Sequence, residues 1–279
     1  MPPGSCALPE TRVETRLPVR CFRAAAFLGQ VCLVWLGAVL VAGRLSTARR
    51  ARLNARLAAQ TLGILRVRVR RLGAMPYADG PLLLVANHVS WLDVYALNAT
   101  VGGPRSVAKS EVARWPMAGG IARGFGTFFH VRGSYRDAAR VKDAVAVALR
   151  RGEPVVVFPE GTTSAGGRVG CFHAAFLQAA VDAGVPVQPV AIHYPTPDGA
   201  PDPAAAFVGE MTFVESLARV LRRRRLDARL TFGPVLPSAG RTRRELAALS
   251  HAFIALALAC RQQSKPRTPA IPARLARAA

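Results

Sequence analysis

The chain has 279 residues, 51% of them hydrophobic, and this length and composition can bury one substantial core. Its formal net charge is +22, and nearly all of the positive charge is arginine, since lysine occurs only at Lys109, Lys142 and Lys265. The five cysteines are scattered without metal-ligand spacing, which argues against a zinc site and a disulfide framework and fits a reducing compartment. We therefore expect one α/β domain with a short appendage and no bound metal.

The excess of arginine has two explanations at this level. It can reflect a GC-rich coding sequence, because alanine is abundant as well, or it can reflect an acidic partner. The candidate partners are anionic lipid headgroups, an acidic carrier protein and nucleic acid. Both explanations stay open from composition.

A basic tail precedes an apolar segment at the N-terminus. Residues 1–23 contain four arginines without an apolar period and are predicted to form a flexible tail. Residues 24–43 carry only Gln30 as a strongly polar side chain, and they are just long enough to span a hydrocarbon core. The segment is too long for a typical signal peptide. We expect membrane insertion, with Phe27 and Trp35 facing lipid, rather than a buried helix of a soluble protein; arginines on both sides leave the orientation open.

A second helix and a strand are predicted next. In residues 46–65, leucines recur every three to five positions among arginines, which is typical of a helix lying on a surface. With the apolar segment it forms a predicted membrane-associated hairpin over residues 24–65. Residues 65–72 alternate apolar and arginine side chains as in a half-exposed strand, and the main domain is predicted over residues 66–263. Residues 264–279 are proline-rich and basic, a predicted disordered tail.

Polar residues follow a short strand in the main domain. Residues 82–86 are apolar and too few for an ordinary helix, so they are predicted to form a strand buried on both faces. His88 lies where this strand ends, and Asp93 can pair with it only across a turn before a helix that begins near Val94. A carboxylate bonded to one imidazole nitrogen leaves the other free to take a proton from a hydroxyl. Alternatively, Asp93 only caps the helix and His88 is a satisfied buried side chain.

Strand and helix patterns alternate through the rest of the main domain, which is typical of a mostly parallel or mixed sheet flanked by helices. Further strands are predicted at residues 106–109, 124–131, 155–158, 187–194 and 229–232. Helices are predicted at residues 134–150, 172–183 and 242–262, and residues 115–121 form an amphipathic stretch. The fold class is therefore predicted to be α/β.

Polar residues stand at two more of these strand ends. Arg132 follows the strand at 124–131, and the run from Glu160 to Thr163 follows the strand at 155–158. In a parallel sheet these ends lie at one edge, so they would meet the histidine of the first strand end. Arginine and turn amides both bind phosphate, and this set suits attack by a hydroxyl on an activated acyl group beside a phosphate. The alternative is an ordinary solvated charge and an ordinary loop.

Four blocks of the sequence resemble the lysophosphatidic acid acyltransferase family, the glycerophospholipid acyltransferases with an NHx4D motif. In chain order the blocks are residues 87–93 (NHVSWLD), 126–132 (GTFFHVR), 158–162 (FPEGT) and 185–190 (VPVQPV). Four blocks in this order are far more specific than any one of them. The resemblance covers residues 24–232.

The resemblance implies the glycerophospholipid acyltransferase fold and transfer of an acyl group from a thioester to a lysophospholipid. His88 would be the general base on the acceptor hydroxyl, and Asp93 would orient it. The residues implied to bind the acceptor are Lys109, Arg132, Glu160, Gly161 and Thr162. The family uses no metal or cofactor beyond the donor, which is acyl-CoA or the acidic acyl carrier protein, and it works at the cytoplasmic membrane. We expect the same inner-membrane location here, with the main domain facing the cytoplasm.

Two positions depart from the family pattern, and both touch acceptor recognition. Thr163 stands where an arginine is frequent, and Arg168 could replace that charge; Val131 stands where an aspartate is common. We expect 1-acyl-sn-glycerol 3-phosphate as the acceptor, giving phosphatidic acid, with lyso-ornithine lipid as the alternative because its acyltransferases look similar here. A non-catalytic basic module tethered to the membrane is an alternative of another class. It gives no reason for the base and carboxylates at strand ends, so nucleic acid is not an expected partner.

Overall fold

The computed structural model describes residues 14–73 and 80–263, and within them it forms one α/β domain with an N-terminal helical hairpin. The strands are β1 (Val67–Gly73), β2 (Leu83–Ala86), β3 (Arg105–Lys109), β4 (Phe128–His130), β5 (Val155–Val157), β6 (Val187–His193) and β7 (Leu226–Phe232). The helices are α1 (Leu17–Leu40), α2 (Thr47–Ile64), α3 (Leu92–Val101), α4 (Ala118–Gly124), α5 (Tyr135–Arg150), α6 (Gln178–Ala183), α7 (Phe213–Arg222) and α8 (Arg243–Gln263).

The strands form one mixed sheet in the order β1-β7-β6-β2-β5-β3-β4. The five strands from β6 to β4 are parallel to one another, whereas β7 is antiparallel to β6 and carries β1 parallel to itself. The predicted sheet and its fold class are confirmed. Because β2, β4 and β5 run in the same direction, the turns that follow them lie at one edge of the sheet.

Helices cover both faces of this sheet. Side chains alternate across a strand, so Leu84 and Ala86 of β2 face one cluster of buried side chains while Leu83 and Val85 face another. The first cluster receives side chains from α1, α2, α3 and α7, and the second from α5, α6 and α8. Strands buried on both faces are largely apolar, which is why β2, β5 and β6 could be predicted from the sequence.

The predicted N-terminal hairpin is present. Gln30 of α1 donates to Gln60 of α2 at 3.3 Å, and Leu53 and Leu57 of α2 pack under Ala38 near the other end of α1. The leucines of α2 therefore face protein, and the exposed apolar side chains of the hairpin belong mostly to α1. The segment Leu17–Arg44 is long and apolar enough to cross a membrane by length and composition, and 17% of its most apolar window is buried.

Two predictions about this hairpin are wrong. The tail predicted over residues 1–23 is helical from Leu17 onward. The Arg23 side chain is buried, and it donates to backbone carbonyls at the ends of both α2 and α7. Phe27, expected to face lipid, is 2% exposed and packs against the rings of Trp91 and Phe213. Residues 1–13 and the tail predicted over 264–279 lie outside the described residues.

Some element boundaries also differ from the predictions. The strand predicted over 124–131 is only β4, because Phe125 ends α4 and packs with the hairpin. Helix α7 was missed, although Thr212 and Glu215 form a capping box at its start. The predicted helix over 172–183 begins as a short 3-10 helix (Ala174–Leu177), while its predicted stop at Gly184 is confirmed by a left-handed C-cap.

Candidate active site

The turn after β2 places His88 and Asp93 in direct contact. The His88 Nδ1 atom lies 2.8 Å from Asp93 Oδ2, which also accepts the backbone N–H groups of Val89 at 2.7 Å and Ser90 at 2.9 Å. Asp93 thus shapes the turn and holds the imidazole across it. The carboxylate is fully buried, whereas 21% of the His88 side chain is exposed. With Nδ1 facing the carboxylate, Nε2 is the nitrogen left to exchange a proton with a substrate.

The imidazole is held on its face as well as at its edge. The His88 ring stacks on the Phe158 ring, with centroids 4.1 Å apart and an interplanar angle of 20°. Phe158 directly follows β5, the strand that pairs with β2. Two neighbouring strand ends therefore fix the ring, an arrangement that lowers the freedom of a base to turn away from its target.

A tyrosine that the sequence analysis did not single out completes the environment of the carboxylate. The Tyr194 hydroxyl donates to Asp93 Oδ1 at 2.7 Å. Burial, followed by the adjacent Asp93 charge, raises the pKa of Tyr194 well above its usual range, so the hydroxyl remains a donor. Tyr194 directly follows β6, which pairs with β2 on the side away from β5. The signal in the sequence was its place at the end of a predicted strand, but only the strand order shows that this end meets the histidine turn.

Glu160 supports the backbone of the histidine turn. Its Oε1 atom accepts the N–H of His88 at 2.8 Å, and its Oε2 atom accepts the N–H of Gly170 at 2.8 Å. Ser164, which the sequence analysis did not single out, donates its N–H to the carbonyl of His88 at 2.8 Å. Both oxygens of Glu160 thus already accept amides, and the side chain is 8% exposed. Its part in acceptor binding stays a prediction.

Asn87 joins the turn to the neighbouring strand. Its side-chain amide donates to the carbonyl of Ile192 at 2.9 Å and accepts the N–H of the same residue at 2.7 Å. The side chain therefore replaces a strand residue in pairing with β6 where β2 has ended. The position before His88 therefore suits asparagine, because its side chain has both a donor and an acceptor for the backbone of Ile192.

Two cations lie beside this edge of the sheet. Arg132 is exposed and donates to the carbonyl of Gly161, whose φ of +65° is a conformation that glycine adopts without strain. Lys109 ends β3, where it pairs in register with His130 of β4, two residues before Arg132. Partial burial and then the charge of Arg132 lower the pKa of Lys109, while Glu111 acts in the opposite direction. An anion bound here would relieve the repulsion between the two cations.

The remaining predicted site residues lie in the loop after β5. Thr162 is exposed next to Gly161, and Arg168 is exposed two residues before Gly170. The hydroxyl of Thr163 donates to the carbonyl of Phe207, so this side chain is directed at the loop before α7. The acceptor-binding roles of Thr162 and Arg168 stay predictions. Among residues 14–73 and 80–263, no three histidine, cysteine or acidic side chains are grouped to hold a metal ion.

Comparison with known proteins identifies the family. The family described as Acyltransferase matches residues 66–193. A lyso-ornithine lipid O-acyltransferase of Pseudomonas aeruginosa is 41% identical over 178 residues, which cover 64% of this chain and 68% of that protein. The chain belongs to the acyltransferase family. This acyltransferase is also 39% identical over 160 residues to a 1-acyl-sn-glycerol-3-phosphate acyltransferase of Neisseria meningitidis, covering 56% of this chain and 61% of that protein.

The fold of the acyltransferase has a counterpart among solved structures. The crystal structure of the 1-acyl-sn-glycerophosphate (LPA) acyltransferase PlsC from Thermotoga maritima matches it with a TM-score of 0.60, covering 86% of this chain and 96% of that one at 21% identity. The family match over residues 66–193, which contain all four sequence blocks, and the relatives of 41% and 39% identity confirm the resemblance. The acyltransferase is an enzyme of the lysophosphatidic acid or lyso-ornithine lipid type, and its apolar helix α1 fits membrane association.

Proposed function

We propose that this acyltransferase moves a fatty acyl group from a thioester to the free hydroxyl of a lysolipid, with His88 as the general base. The observation that carries the proposal is the contact of His88 Nδ1 with the buried carboxylate of Asp93 at 2.8 Å. Nε2 of His88 takes the proton of the acceptor hydroxyl while the hydroxyl oxygen attacks the thioester carbonyl. The tetrahedral intermediate then expels the thiolate, which receives that proton from His88.

The acceptor that the charges favour is 1-acyl-sn-glycerol 3-phosphate, acylated at the sn-2 hydroxyl to give phosphatidic acid. A phosphate monoester carries close to two negative charges at neutral pH, and Lys109 and Arg132 supply two neighbouring cations at the edge where His88 lies. The proposal places the phosphate between these cations. The phosphate and the sn-2 hydroxyl are on neighbouring carbons of the glycerol, so a bound phosphate would bring that hydroxyl toward the base.

Lyso-ornithine lipid is the second candidate acceptor, and two observations favour it. The Pseudomonas aeruginosa relative carries that name at 41% identity. Thr163 binds the carbonyl of Phe207 and offers no charge where an arginine is frequent in phosphate-binding relatives. A headgroup with one carboxylate needs fewer cations than a phosphate does.

The donor is proposed to be acyl-CoA or acyl carrier protein, both of which present an acyl thioester. Both donors are acidic, and the net charge of +22 suits either. We propose that the enzyme works at the cytoplasmic face of the inner membrane, attached through α1. This location gives one site access to a soluble donor and a lipid acceptor.

An acyl-transfer assay tests the proposal. The full-length protein in phospholipid vesicles is given each acceptor with each donor, with His88→Ala as the control for background transfer. We expect turnover with one acceptor to exceed turnover with the other and to depend on His88. Failure to acylate either lysolipid, together with retained binding of anionic lipid or nucleic acid, would instead support the non-catalytic basic module.

A further inference from the structure

The loop between β4 and α5, together with the first residue of α5, exposes apolar side chains beside the site. Val131 is 50% exposed and Tyr135 is 93% exposed, on either side of Arg132 along the chain. A tyrosine ring exposed to this degree in water costs hydrophobic free energy that contact with another surface would recover.

This exposure is built into a braced loop. The carboxylate of Asp137 accepts the N–H of Val131 at 2.6 Å and also binds Arg140 at 2.8 Å. The hydroxyl of Ser134 accepts the N–H of Asp137 at 3.2 Å, which caps α5. These bonds connect the loop to the start of α5 in the conformation that exposes Val131 and Tyr135.

The residues around the loop have the composition of a membrane interface. Trp115, 41% exposed, follows the 3-10 helix Ser110–Arg114, which contacts β4. Exposed arginines stand at positions 132, 136 and 140. Tryptophan and tyrosine prefer the headgroup level of a bilayer, and arginines there are attracted to anionic lipids.

The same 3-10 helix connects this region with the membrane helix. It contacts α4, and α4 packs on α1, where Gly120 lies against Trp35 and Gly124 against Ala38. On this part of α1, Leu36, Val39 and Leu40 are about half exposed, at 48%, 53% and 51%. The exposed apolar side chains of α1 and those beside Arg132 thus belong to adjoining elements.

We propose that Val131, Tyr135 and Trp115 form a second membrane contact, seated on an anionic lipid surface in addition to α1. The contact holds the edge of the sheet that carries His88 at the level of the lipid headgroups. A lysolipid then reaches the site while its acyl chain remains in the bilayer. This inference concerns a surface and holds for either candidate acceptor.

Photocrosslinking tests the contact without any assay of activity. The full-length protein carries benzoylphenylalanine in place of Tyr135, or in place of Leu256 as a control. Leu256 is also strongly exposed, at 64%, but lies on α8, which packs mainly on β6 rather than beside β4. In vesicles of phosphatidylethanolamine and phosphatidylglycerol we expect lipid adducts from position 135 and not from position 256. Equal labelling at both positions, or adducts of position 135 with added acyl carrier protein in place of lipid, would overturn the proposal.

A kinetic comparison addresses the consequence for the acceptor. Tyr135→Asp adds a negative charge, and an acidic residue in the first turn of α5 is compatible with the helix. We expect the apparent KM for a vesicle-embedded lysolipid to rise roughly tenfold, with kcat and the KM for a short-chain, water-soluble lysolipid unchanged. Equal effects on both acceptor forms would contradict a membrane role. Absence of turnover in the unmodified enzyme would reject the proposed function but leave the crosslinking result valid.

Discussion

The hydroxyl of Tyr194 and the imidazole of His88 bind different oxygens of the Asp93 carboxylate, at 2.7 Å from Oδ1 and 2.8 Å from Oδ2. Two backbone amides add to Oδ2, so the buried charge is compensated on both oxygens. Tyr194 therefore serves the base indirectly, by fixing the group that orients it.

Replacing Tyr194 by phenylalanine should lower kcat with little change in the acceptor KM. The ring stays, but Asp93 Oδ1 loses its donor in a fully buried place, which costs about 1 to 3 kcal/mol. The measurement is steady-state kinetics beside thermal unfolding. Tyr95→Phe on α3 is the matched control, because it removes a phenol near Trp91 that does not bind Asp93. If Tyr194→Phe only lowers the unfolding temperature and kcat is preserved, Tyr194 has a structural role alone.

His88→Ala and Asp93→Asn should both remove most turnover while the fold persists. General base catalysis contributes about 10² to 10⁴ in rate, and Asn retains the shape of the orienting side chain without its charge. Turnover is measured at matched expression and related to the amount of folded protein. Comparable activity of His88→Ala would mean that another group takes the acceptor proton.

Arg132→Ala should raise the KM for the acceptor and leave that for the donor nearly unchanged. A hydrogen bond to a charged group is worth about 1.5 to 3 kcal/mol, which corresponds to roughly tenfold to a hundredfold in binding. Arg168→Ala should give a smaller shift of the same kind if its exposed side chain supplies the charge absent at Thr163. A rise confined to the donor KM would show that Arg132 binds the donor rather than the acceptor.

Binding of a phosphate acceptor should weaken at alkaline pH through Lys109. A lysine is a cation below its pKa, and partial burial and Arg132 bring that pKa below its ordinary value of 10.5. The acceptor KM should thus begin to rise at a lower pH than an unperturbed lysine would cause. Lys109→Arg keeps the charge throughout this range, so its KM should stay level where that of the unmodified enzyme climbs. Parallel profiles for the two proteins would exclude Lys109 from the phosphate site.

Elements with a clear local pattern of apolar residues could be predicted from the sequence, whereas elements that depend on the packing around them could not. The apolar runs of β2, β5 and β6 and the capped helix α5 have local signals, so they were found. The pairing of His88 with Asp93 was also predictable, because only a turn brings the two together. Helix α7 was missed because arginines surround its short apolar stripe.

Contacts between distant parts of the chain account for the other differences. The apolar residues on both sides of Phe27 in the sequence predict that it faces lipid. Its contacts with the rings of Trp91 and Phe213 show that this side of α1 belongs to the core. The acceptor role of Glu160, which the family resemblance implies, stays a prediction. Its contacts with His88 and Gly170 could not be predicted, because they depend on how two turns meet. Strand order, which no local pattern encodes, brought Tyr194 to Asp93.

The position of Arg23 has a consequence for where the protein folds. This residue of α1 leaves the ribosome well before its carbonyl partners at Leu221 and Arg223, which lie 198 and 200 residues later in the chain. By the time they are synthesised, α1 has already had the opportunity to enter the bilayer. With α1 attached to the bilayer as proposed above, the domain would close around a helix that lipid holds on its other side, so we expect folding to be completed at the membrane surface. Cutting α1 away to make a soluble enzyme would remove part of the core.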